Sequence, residues 1–496
     1  MQTHKGQTTV FKGALLSIAM RWTDRLVGLL STLILARLLA PEDFGIIAMA
    51  SLVIGLLNVL LDLGVNVALI QNRDATQDHY DTAWTLRLLQ SGITAGLIFF
   101  GAPLASDYFN DDRVVPVMQV LSTSIVIAGL ENIGTIQFQK HMQFGLDFRF
   151  MFYKRITGFV ATMIAAYLMQ TYWALVVGTL AGRVIGTLIS YRMHSMRPRL
   201  SFVKFREIFA ISQWMLVRSA GQYLDGSLHK ILVGRRADSA VLGGYTLASE
   251  ISAMPSTELL APINRALYPA FVAARENLSE LKRLFMLTQG IQTLIGIPAG
   301  VGLAMVAEEA VALLLGTKWL PAVPFVQALA LVGALSAIST SGGYVLLTLG
   351  RISQVALLSW LQIGFFLVGS FLLFPQADAQ MLATIRLFTV GAGLALTLWL
   401  LKGALTNLTL RDIFSTISRP VLAAVTMAGT LYLADQQIDL SPPLMLAVKV
   451  PLGALSYAVA ILIMWTMARR PSGAEAYVLE KLAAFLKKRR KDQLKK

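Results

Sequence analysis

The chain has 496 residues, of which 55% are hydrophobic and 14% are charged. Because soluble domains carry about 25% charged residues, this composition excludes an ordinary soluble protein. No cysteine is present, which excludes disulfides, thiolate chemistry and zinc–thiolate sites.

Apolar runs recur along the whole chain, and each is long enough to cross roughly 30 Å of hydrocarbon as an α-helix. The first run lacks a small-residue cleavage site and is followed by further runs, so we interpret it as a retained span rather than a signal peptide. The sequence predicts an all-α polytopic membrane protein with about 14 transmembrane helices. The predicted spans are 11–36, 44–70, 82–105, 115–136, 156–169, 172–191, 208–233, 240–265, 284–306, 320–348, 352–374, 380–401, 417–434 and 444–468.

The net charge is +15, but the basic residues are unevenly distributed. With alternating loops, most Lys and Arg residues fall on the side of the N-terminus, whereas the opposite loops hold Arg37, Arg113, Arg235, Arg236 and Lys318. This asymmetry is typical of membrane orientation with both termini cytoplasmic, and it disfavours nucleic acid as a partner. The tail AEAYVLEKLAAFLKKRRKDQLKK is either a basic amphipathic helix on anionic membrane lipids or a solvated charged segment.

Two pairs of similar stretches indicate an internal repeat. ARLLAPEDFGIIAMA (36–50) and GRRADSAVLGGYTLA (234–248) both end one helix, turn through a short polar clip and begin the next helix with Gly45 or Gly243. VPVMQVL (115–121) and VPFVQAL (323–329) share the pattern V-P-x-x-Q-x-L. The offset is 198 residues from Gly45 to Gly243 and 208 residues from Val115 to Val323.

An offset of about 200 residues covers about six predicted helices. Because six is an even number, both copies of the repeat are expected to enter the membrane in the same direction. Such a parallel repeat predicts two six-helix lobes with a ligand site between them near the midplane, plus two C-terminal helices. The predicted segments are an N-lobe at 1–194 (spans 1–6), a C-lobe at 195–405 (spans 7–12), two extra spans at 406–470 and a basic cytoplasmic tail at 471–496.

Four predicted spans carry polar residues at helical spacing, which places each set on one helix face. Because a charge at the centre of a span costs about 2.5–3.5 kcal/mol, such residues are expected to face the protein interior or water. Spans 1, 2, 7 and 8 are the paired helices of the two repeats, so we expect their polar faces to line one cavity between the lobes. The polar residues are Arg21, Asp24 and Arg25 in span 1, Asn58, Asp62 and Asn66 in span 2, Arg218, Gln222 and Asp225 in span 7, and Glu250, Glu258 and Arg265 in span 8.

Several of these charges have a second interpretation. Asp24 could instead form a purely structural ion pair with Arg21 or Arg25, which lie about one helical turn away. The long side chain of Arg21 could instead reach the lipid headgroups at the cytoplasmic surface. The isolated acids Asp62 and Glu131 fit either proton or cation coupling or a satisfied packing contact. Five more basic residues are expected nearer the span ends, where long side chains reach the interface: Arg87, Arg183, Lys230, Arg386 and Lys449.

The interior arginines outnumber the aspartates of these spans, so the expected cavity is mixed with a cationic part. Arginine matches phosphate oxygens with two parallel hydrogen bonds, and the neighbouring polar residues suit sugar hydroxyls. The sequence has no Walker A motif, no H-E-x-x-H motif and no large extramembrane region for a catalytic domain. These features favour transport over enzyme activity, without a metal or an organic cofactor.

Three stretches carry a family resemblance: ILARLLAPEDFGIIAMA, DLGVNVALIQ and YTLASEISAMPSTELLAPINRALYPAF. They resemble the Wzx-type polysaccharide exporters of the multidrug/oligosaccharidyl-lipid/polysaccharide superfamily, and more narrowly the colanic-acid-exporter branch. The resemblance implies two lobes in a V shape that flip undecaprenyl-pyrophosphate-linked oligosaccharide repeat units across the bacterial inner membrane. It also implies alternating access without ATP, coupled to an ion gradient such as that of protons or sodium.

The resemblance to the related lipid II flippases implies which residues hold the pyrophosphate. Those proteins use cationic residues on spans 1, 2 and 8. By that analogy the expected residues here are Arg21 and Arg25 on span 1 and Arg265 on span 8. Span 2 departs from the pattern because its interior has no arginine, so Arg218 is the expected substitute. The extra spans would form a groove for the polyprenyl tail.

The predicted function is therefore a flippase in exopolysaccharide, O-antigen or capsule synthesis. Its partners would be the lipid-linked oligosaccharide, membrane lipids, a polysaccharide polymerase and a chain-length regulator. The alternative is a cation-coupled multidrug antiporter of the same superfamily, which would need an aromatic cavity dominated by acidic residues. A membrane-embedded glycosyltransferase or polymerase is disfavoured because no catalytic domain or large loop is present.

Overall fold

The computed structural model describes residue 20 and residues 22–405 and 408–493, with no strand among them. Within its helices, the side chains of 209–218, of 265 and of a few further positions lie outside the description. The described helices up to Met254 are α1 (22–38), α2 (Pro41–Leu60), α3 (Val65–Gln71), α4 (Gln77–Phe109), α5 (Val114–Gly129), α6 (Ile136–Lys140), α7 (Phe144–Met169), α8 (Trp173–Met193), α9 (Phe205–Arg236) and α10 (Ser239–Met254).

The helices after Met254 follow a π-helical turn at Pro255–Leu259. They are α11 (Ala261–Ala273), α12 (Leu278–Met305), α13 (Ala307–Leu314), α14 (Val323–Thr348), α15 (Ile352–Leu367), α16 (Ala379–Lys402), α17 (Leu410–Gln437), α18 (Pro442–Met467) and α19 (Ala474–Gln493). Short 3₁₀ turns precede α6 and α14, and a second π-helical segment, Val368–Leu373, extends α15.

The predicted class of an all-α multi-pass membrane protein is confirmed. Among the described residues, nine helices are long and apolar enough to cross a membrane, or ten if the bent pair of α5 and the segment Ile133–Lys140 is one span. Each predicted span coincides for most of its described length with helical residues. The helices α7 and α9 do not belong to the nine, and the total of about 14 spans stays a prediction.

Three predicted spans are not continuous helices, which corrects their predicted form. In span 2, α2 ends at Leu60 and α3 begins after Gly64, whose φ of 60° is a conformation that glycine adopts without a steric penalty. In span 4, the helix bends by 66° after Gly129. In span 8, Pro255 opens the π-helical turn, since proline has no N–H for the regular helical hydrogen bond.

The contacts divide the chain into two compact units, Met1–Gly243 and Gly244–Lys496. This division places α9 in the N-terminal unit. The predicted lobes, with their boundary at 194, and the predicted segments 406–470 and 471–496 stay predictions.

In the N-terminal unit, glycines allow α7 and α8 to pack closely. A Cβ atom at Gly178 would lie 2.8 Å from the Cβ of Thr162 and 3.0 Å from the carbonyl oxygen of Gly158. The Thr162 hydroxyl donates to that same carbonyl at 2.8 Å, so it has a partner inside α7. Small residues that let backbones approach are the usual basis of helix association in membranes.

The two copies of the polar clip contact each other reciprocally. A Cβ at Gly45 on α2 would lie 2.5 Å from the carbonyl carbon of Ser239, and a Cβ at Gly243 on α10 would lie 3.1 Å from the carbonyl carbon of Pro41. In the repeat, Pro41 corresponds to Ser239 and Gly45 to Gly243. Contacts through equivalent residues fit the parallel repeat indicated by the sequence, which stays a prediction.

In the C-terminal unit, a buried ion cluster joins α13, α17 and α18. Lys449 is 3% exposed and forms ion pairs with Glu309 and Asp435. The expectation that Lys449 reaches the interface is therefore wrong, because both carboxylates hold its ammonium inside the protein.

The C-terminal tail forms the helix α19, and its first turn packs on the unit. Glu475 is buried and accepts a hydrogen bond from the Arg419 Nε at 2.7 Å. Whether the later turns lie on anionic headgroups stays a prediction.

Candidate functional site

A cavity of about 850 Å³ lies inside the N-terminal unit, between α1, α7 and α8. Ligand pockets for small organic molecules have volumes of about 300–1,000 Å³, so this cavity is large enough for such a ligand. One wall is aromatic and apolar, and the other carries charges. The charged lining residues are Asp24, Asp147, Lys154, Arg155 and Arg183.

Asp24 on α1 forms an ion pair with a residue of another helix. Its Oδ1 lies 3.1 Å from the Nε of Arg155 on α7, and the two side chains are 65% and 50% exposed. The expected neighbours on the same helix were Arg21 and Arg25. Arg21 lies outside the described residues, and Arg25 is half-buried and does not line the cavity. Asp24 thus lines a cavity inside the N-terminal unit with a partner from α7, and the predicted cavity between the lobes stays a prediction.

Arg183 lies at the middle of α8 rather than near its end. It is the eleventh of 21 residues, which places it about 15 Å from either end of the helix. The expectation that it reaches the interface is therefore wrong, since its side chain lines the cavity. Among the described residues, no ion pair or hydrogen bond of Arg183 is found. Because an arginine at mid-span costs about 2.5–3.5 kcal/mol, it requires a polar cavity or a ligand.

Lys154, next to Arg155, connects the cavity to a buried ion cluster. Its Nζ lies 2.5 Å from the Oε2 of Glu131, and the Nη2 of Arg87 lies 3.9 Å from the Oε1 of the same carboxylate. Glu131 is thus held between two basic groups, and Arg87 is held inside the protein rather than at the interface. A role for Glu131 in coupling stays a prediction.

The cluster lies where the bent span breaks, and side chains satisfy the free carbonyl groups of α5. Arg87 donates to the carbonyl oxygens of Ala128 at 2.8 Å and of Glu131 at 3.1 Å. Thr187 donates to Ile127 at 2.9 Å, and the Tyr191 hydroxyl donates to Leu130 at 2.9 Å. A helix end inside a membrane needs such partners, because each unpaired polar group in hydrocarbon is costly.

Asp62 does not lie on a polar helix face, which corrects the predicted stripe of span 2. It stands in the break between α2 and α3, where its Oδ1 accepts a hydrogen bond from the Gly64 N–H at 2.9 Å. Asn58 is exposed near the end of α2. The carboxylate therefore stabilises the turn, and coupling through Asp62 stays a prediction.

The structure places the remaining predicted residues only in part. The side chains of Arg218 on α9 and Arg265 on α11 lie outside the described residues. Gln222 is exposed on α9. Three acids each have an interaction partner, and none of them lines the cavity of the N-terminal unit: Asp225, Glu250 and Glu258.

Sequence reasoning missed Lys154 and Arg155 because it began span 5 at residue 156. The helix begins at Phe144, which places Arg155 at the twelfth of 26 residues. A polar pattern at steps of four and three residues was available as a signal. The pattern places Asp147, Met151, Lys154, Gly158 and Thr162 on one face of the helix. All five residues line the cavity.

The helices, the charged cavity and the broken spans define a multi-pass α-helical membrane protein with a polar site inside its N-terminal unit. Residues 34–324 match the family model described as "Polysaccharide biosynthesis protein", and the chain belongs to that family. This match confirms the resemblance predicted from the sequence.

Curated relatives are similar over most of the chain. The teichuronic acid biosynthesis protein TuaB of Bacillus subtilis (strain 168) is 24% identical, over 80% of this chain and 84% of its own. The lipopolysaccharide biosynthesis protein WzxC of Escherichia coli (strain K12) is 24% identical, over 66% of this chain and 67% of its own. The succinoglycan biosynthesis transport protein ExoT of Rhizobium meliloti (strain 1021) is 24% identical, over 66% of each chain.

Two solved structures show the same fold. The lipid II flippase MurJ in an inward closed conformation has a TM-score of 0.76 and 13% identity, covering 92% of this chain and all of its own. A multidrug resistance transporter of the MATE family in an inward-facing conformation has a TM-score of 0.59 and 16% identity, covering 78% of this chain and 96% of its own. At these identities the likeness concerns the fold alone.

Proposed function

We propose that this protein flips undecaprenyl-pyrophosphate-linked oligosaccharide repeat units across the bacterial inner membrane, in exopolysaccharide, O-antigen or capsule synthesis. Family membership and three relatives named for teichuronic acid, lipopolysaccharide and succinoglycan biosynthesis support a polysaccharide precursor as the substrate. The fold is shared with a lipid II flippase. The protein is a transporter and not an enzyme.

The observation that carries this function is the cluster of basic residues near the middle of α7 and α8. Lys154, Arg155 and Arg183 outnumber the two acids that line the same cavity. A phosphate-bearing headgroup that crosses the bilayer needs cationic hydrogen-bond donors along its route, and arginine presents these donors in a planar fork.

The pyrophosphate contacts in this proposal include the four arginines predicted from the sequence. They are Arg21, Arg25, Arg218 and Arg265. The sugars would occupy a polar cavity while the isoprenoid stays in lipid, and rocking of the repeats would expose the site to either side. A proton or sodium ion is the proposed coupling ion, with Asp24, Asp62 or Glu131 as its acceptor. Both termini face the cytoplasm in this proposal, and a polymerase and a chain-length regulator are the proposed partners.

The charge of the cavity disfavours the alternative function, a cation-coupled multidrug antiporter. A cationic drug would be repelled by a lining with three basic and two acidic groups. A shared fold with a MATE transporter does not by itself assign the substrate.

A flipping assay in a bacterial host without its own exporter tests the function. Lipid-linked repeat units that accumulate on the cytoplasmic leaflet would be quantified with wild type, with Arg25→Ala and with Arg235→Ala. Arg235 is a matched control, because it lies in the last turn of α9 and donates to the carbonyl of Tyr108 at 2.8 Å. We expect wild type and the control to clear the substrate, and Arg25→Ala to lose at least tenfold in rate, which corresponds to about 1.4 kcal/mol.

Failure of wild type to clear any of several donor glycans would refute the function. Efflux of cationic dyes by the same strain would then establish the antiporter instead. Equal rates for wild type and Arg25→Ala would refute the role of Arg25 alone.

A further inference from the structure

We propose that the N-terminal unit contains its own binding site for the pyrophosphate of an isoprenoid lipid, formed by Arg183 and Arg155 with Asp24 as an internal counter-ion. The chemical class of the ligand, an anionic headgroup on an apolar chain, follows from the cavity. Its identity as the carrier lipid rests on the proposed function.

The two arginines lie at the same depth on neighbouring helices. Arg155 is the twelfth of 26 residues of α7, and Arg183 is the eleventh of 21 residues of α8. The two helices run in opposite directions and are joined by a short turn after Met169, so both positions lie near the middle of the helix pair. Asp24 on α1 reaches the same level, since it contacts Arg155 at 3.1 Å.

The charges of the cavity leave one cation for a ligand. Lys154 is held by Glu131 at 2.5 Å, and Arg155 is held by Asp24. Asp147 accepts a hydrogen bond from Gln139 at 3.3 Å. Arg183 is the basic lining group for which the described residues provide no acid, and its guanidinium is exposed to the cavity.

The pair of Arg155 and Asp24 is open to exchange with an anion. Both side chains are at least half exposed, so an incoming phosphate can approach the guanidinium without a rearrangement of the helices. A pyrophosphate bound to Arg183 would compete with Asp24 for Arg155. The carboxylate therefore opposes anion binding, and removal of its charge should strengthen it.

The apolar wall distinguishes a lipid-linked pyrophosphate from free pyrophosphate. Phe148 and Phe152 on α7 are stacked with their ring centroids 5.8 Å apart, and both line the cavity. Phe144, Ile156 and Phe159 extend this wall along the same helix. An apolar chain beside the charged headgroup would bury this surface from water, which free pyrophosphate cannot do.

Binding of farnesyl pyrophosphate to the purified full-length protein in phosphatidylcholine nanodiscs tests the site. The binding constant would be measured by calorimetry for wild type, Arg183→Gln, Asp24→Asn and the control Arg235→Gln. We expect Arg183→Gln to weaken binding at least tenfold, Asp24→Asn to strengthen it several-fold and the control to bind as wild type does. Unchanged binding by Arg183→Gln, or weaker binding by Asp24→Asn, would overturn the proposal.

Further ligands separate the sources of the headgroup. Inorganic pyrophosphate and farnesol should each bind at least tenfold more weakly than farnesyl pyrophosphate, because each has only one half of the ligand. Equal binding of inorganic pyrophosphate, or full competition by phosphatidylglycerol added to the nanodiscs, would overturn the assignment to a lipid pyrophosphate. If Arg183→Gln does not fold, Arg183→Lys keeps the charge but loses the planar fork of donors and should still bind more weakly than wild type, and Asp24→Asn tests the carboxylate.

The two proposals fail separately. Loss of flipping by wild type with intact farnesyl pyrophosphate binding would refute the function and leave the site. Intact flipping by wild type, together with equal farnesyl pyrophosphate binding by wild type and Arg183→Gln, would refute the site and leave the function.

Discussion

The reciprocal contact between the two clips predicts how the protein responds to one added methyl group. In Gly45→Ala, the new Cβ would lie 2.5 Å from the carbonyl carbon of Ser239 and 2.8 Å from its Cα. In Gly243→Ala, the new Cβ would lie 2.9 Å from the amide nitrogen of Gly45. Because these neighbours are backbone atoms, no side-chain rotation can relieve the overlap.

The size of the effect follows from the missing distance. Carbon atoms pack best at about 3.5–4.0 Å, so the first turns of α2 and α10 must separate by about 1 Å. Overpacking of this kind costs about 1–3 kcal/mol. One separation of the two turns relieves both overlaps, so the double variant should cost less than the sum of the single variants, with a coupling of about 0.5–3 kcal/mol.

The free energy of unfolding in detergent, measured by titration with a denaturing detergent and followed by tryptophan fluorescence, checks this prediction. Gly92→Ala is the matched control, because this glycine lies inside α4 and a Cβ there meets nothing within 4 Å. The control should be neutral or gain up to about 1 kcal/mol from helix propensity. Unfolding free energies of Gly45→Ala equal to those of the control, or strictly additive single variants, would refute the reasoning.

Three further changes are tested by the same unfolding measurement. Lys449→Met should cost about 3–5 kcal/mol, because it leaves the largely buried carboxylate of Glu309 without its cation and also removes the ion pair with the more exposed Asp435. Lys449→Arg should retain most of the stability, and a neutral Lys449→Met would contradict the ion cluster. Gly64→Ala should cost about 1–2 kcal/mol, because residue 64 has a φ of 60°, and a stabilising effect would show that the break is not required. Asn132→Ala should cost about 1–3 kcal/mol, because this fully buried amide forms hydrogen bonds with three backbone groups. A loss of less than about 0.5 kcal/mol would contradict those hydrogen bonds.

The positions of the helices followed from the sequence because the length of an apolar run is a strong signal in a membrane protein. The helix breaks could not be predicted from the sequence, because the helical spacing of residues continues without interruption through Gly64 and Gly129. Whether a helix continues there depends on partners from other helices, such as the donors Arg87 and Thr187 that satisfy the end of α5.

The site was predicted only in part for a related reason. The sequence singled out Asp24 as a polar residue of span 1, and it lines the cavity, but the choice of its partner required knowing which helices are neighbours. Arg155 was assigned to a loop because its helix begins twelve residues earlier than predicted, at Phe144 rather than at 156. Arg183 was assigned to an interface because its position relative to the helix centre was misjudged.

The contact between the clips also bears on how such a chain arises. A protein with a single copy of the clip would make this contact twice across the two-fold axis of a homodimer, and its strength would depend on concentration. Joining two copies in one gene makes the same contact intramolecular. Since each copy uses a glycine from one side and a backbone carbonyl from the other, the copies are free to diverge at Pro41 and Ser239 but not at Gly45 and Gly243. The sequence fits this expectation, since residues 45 and 243 are both glycine whereas residues 41 and 239 differ.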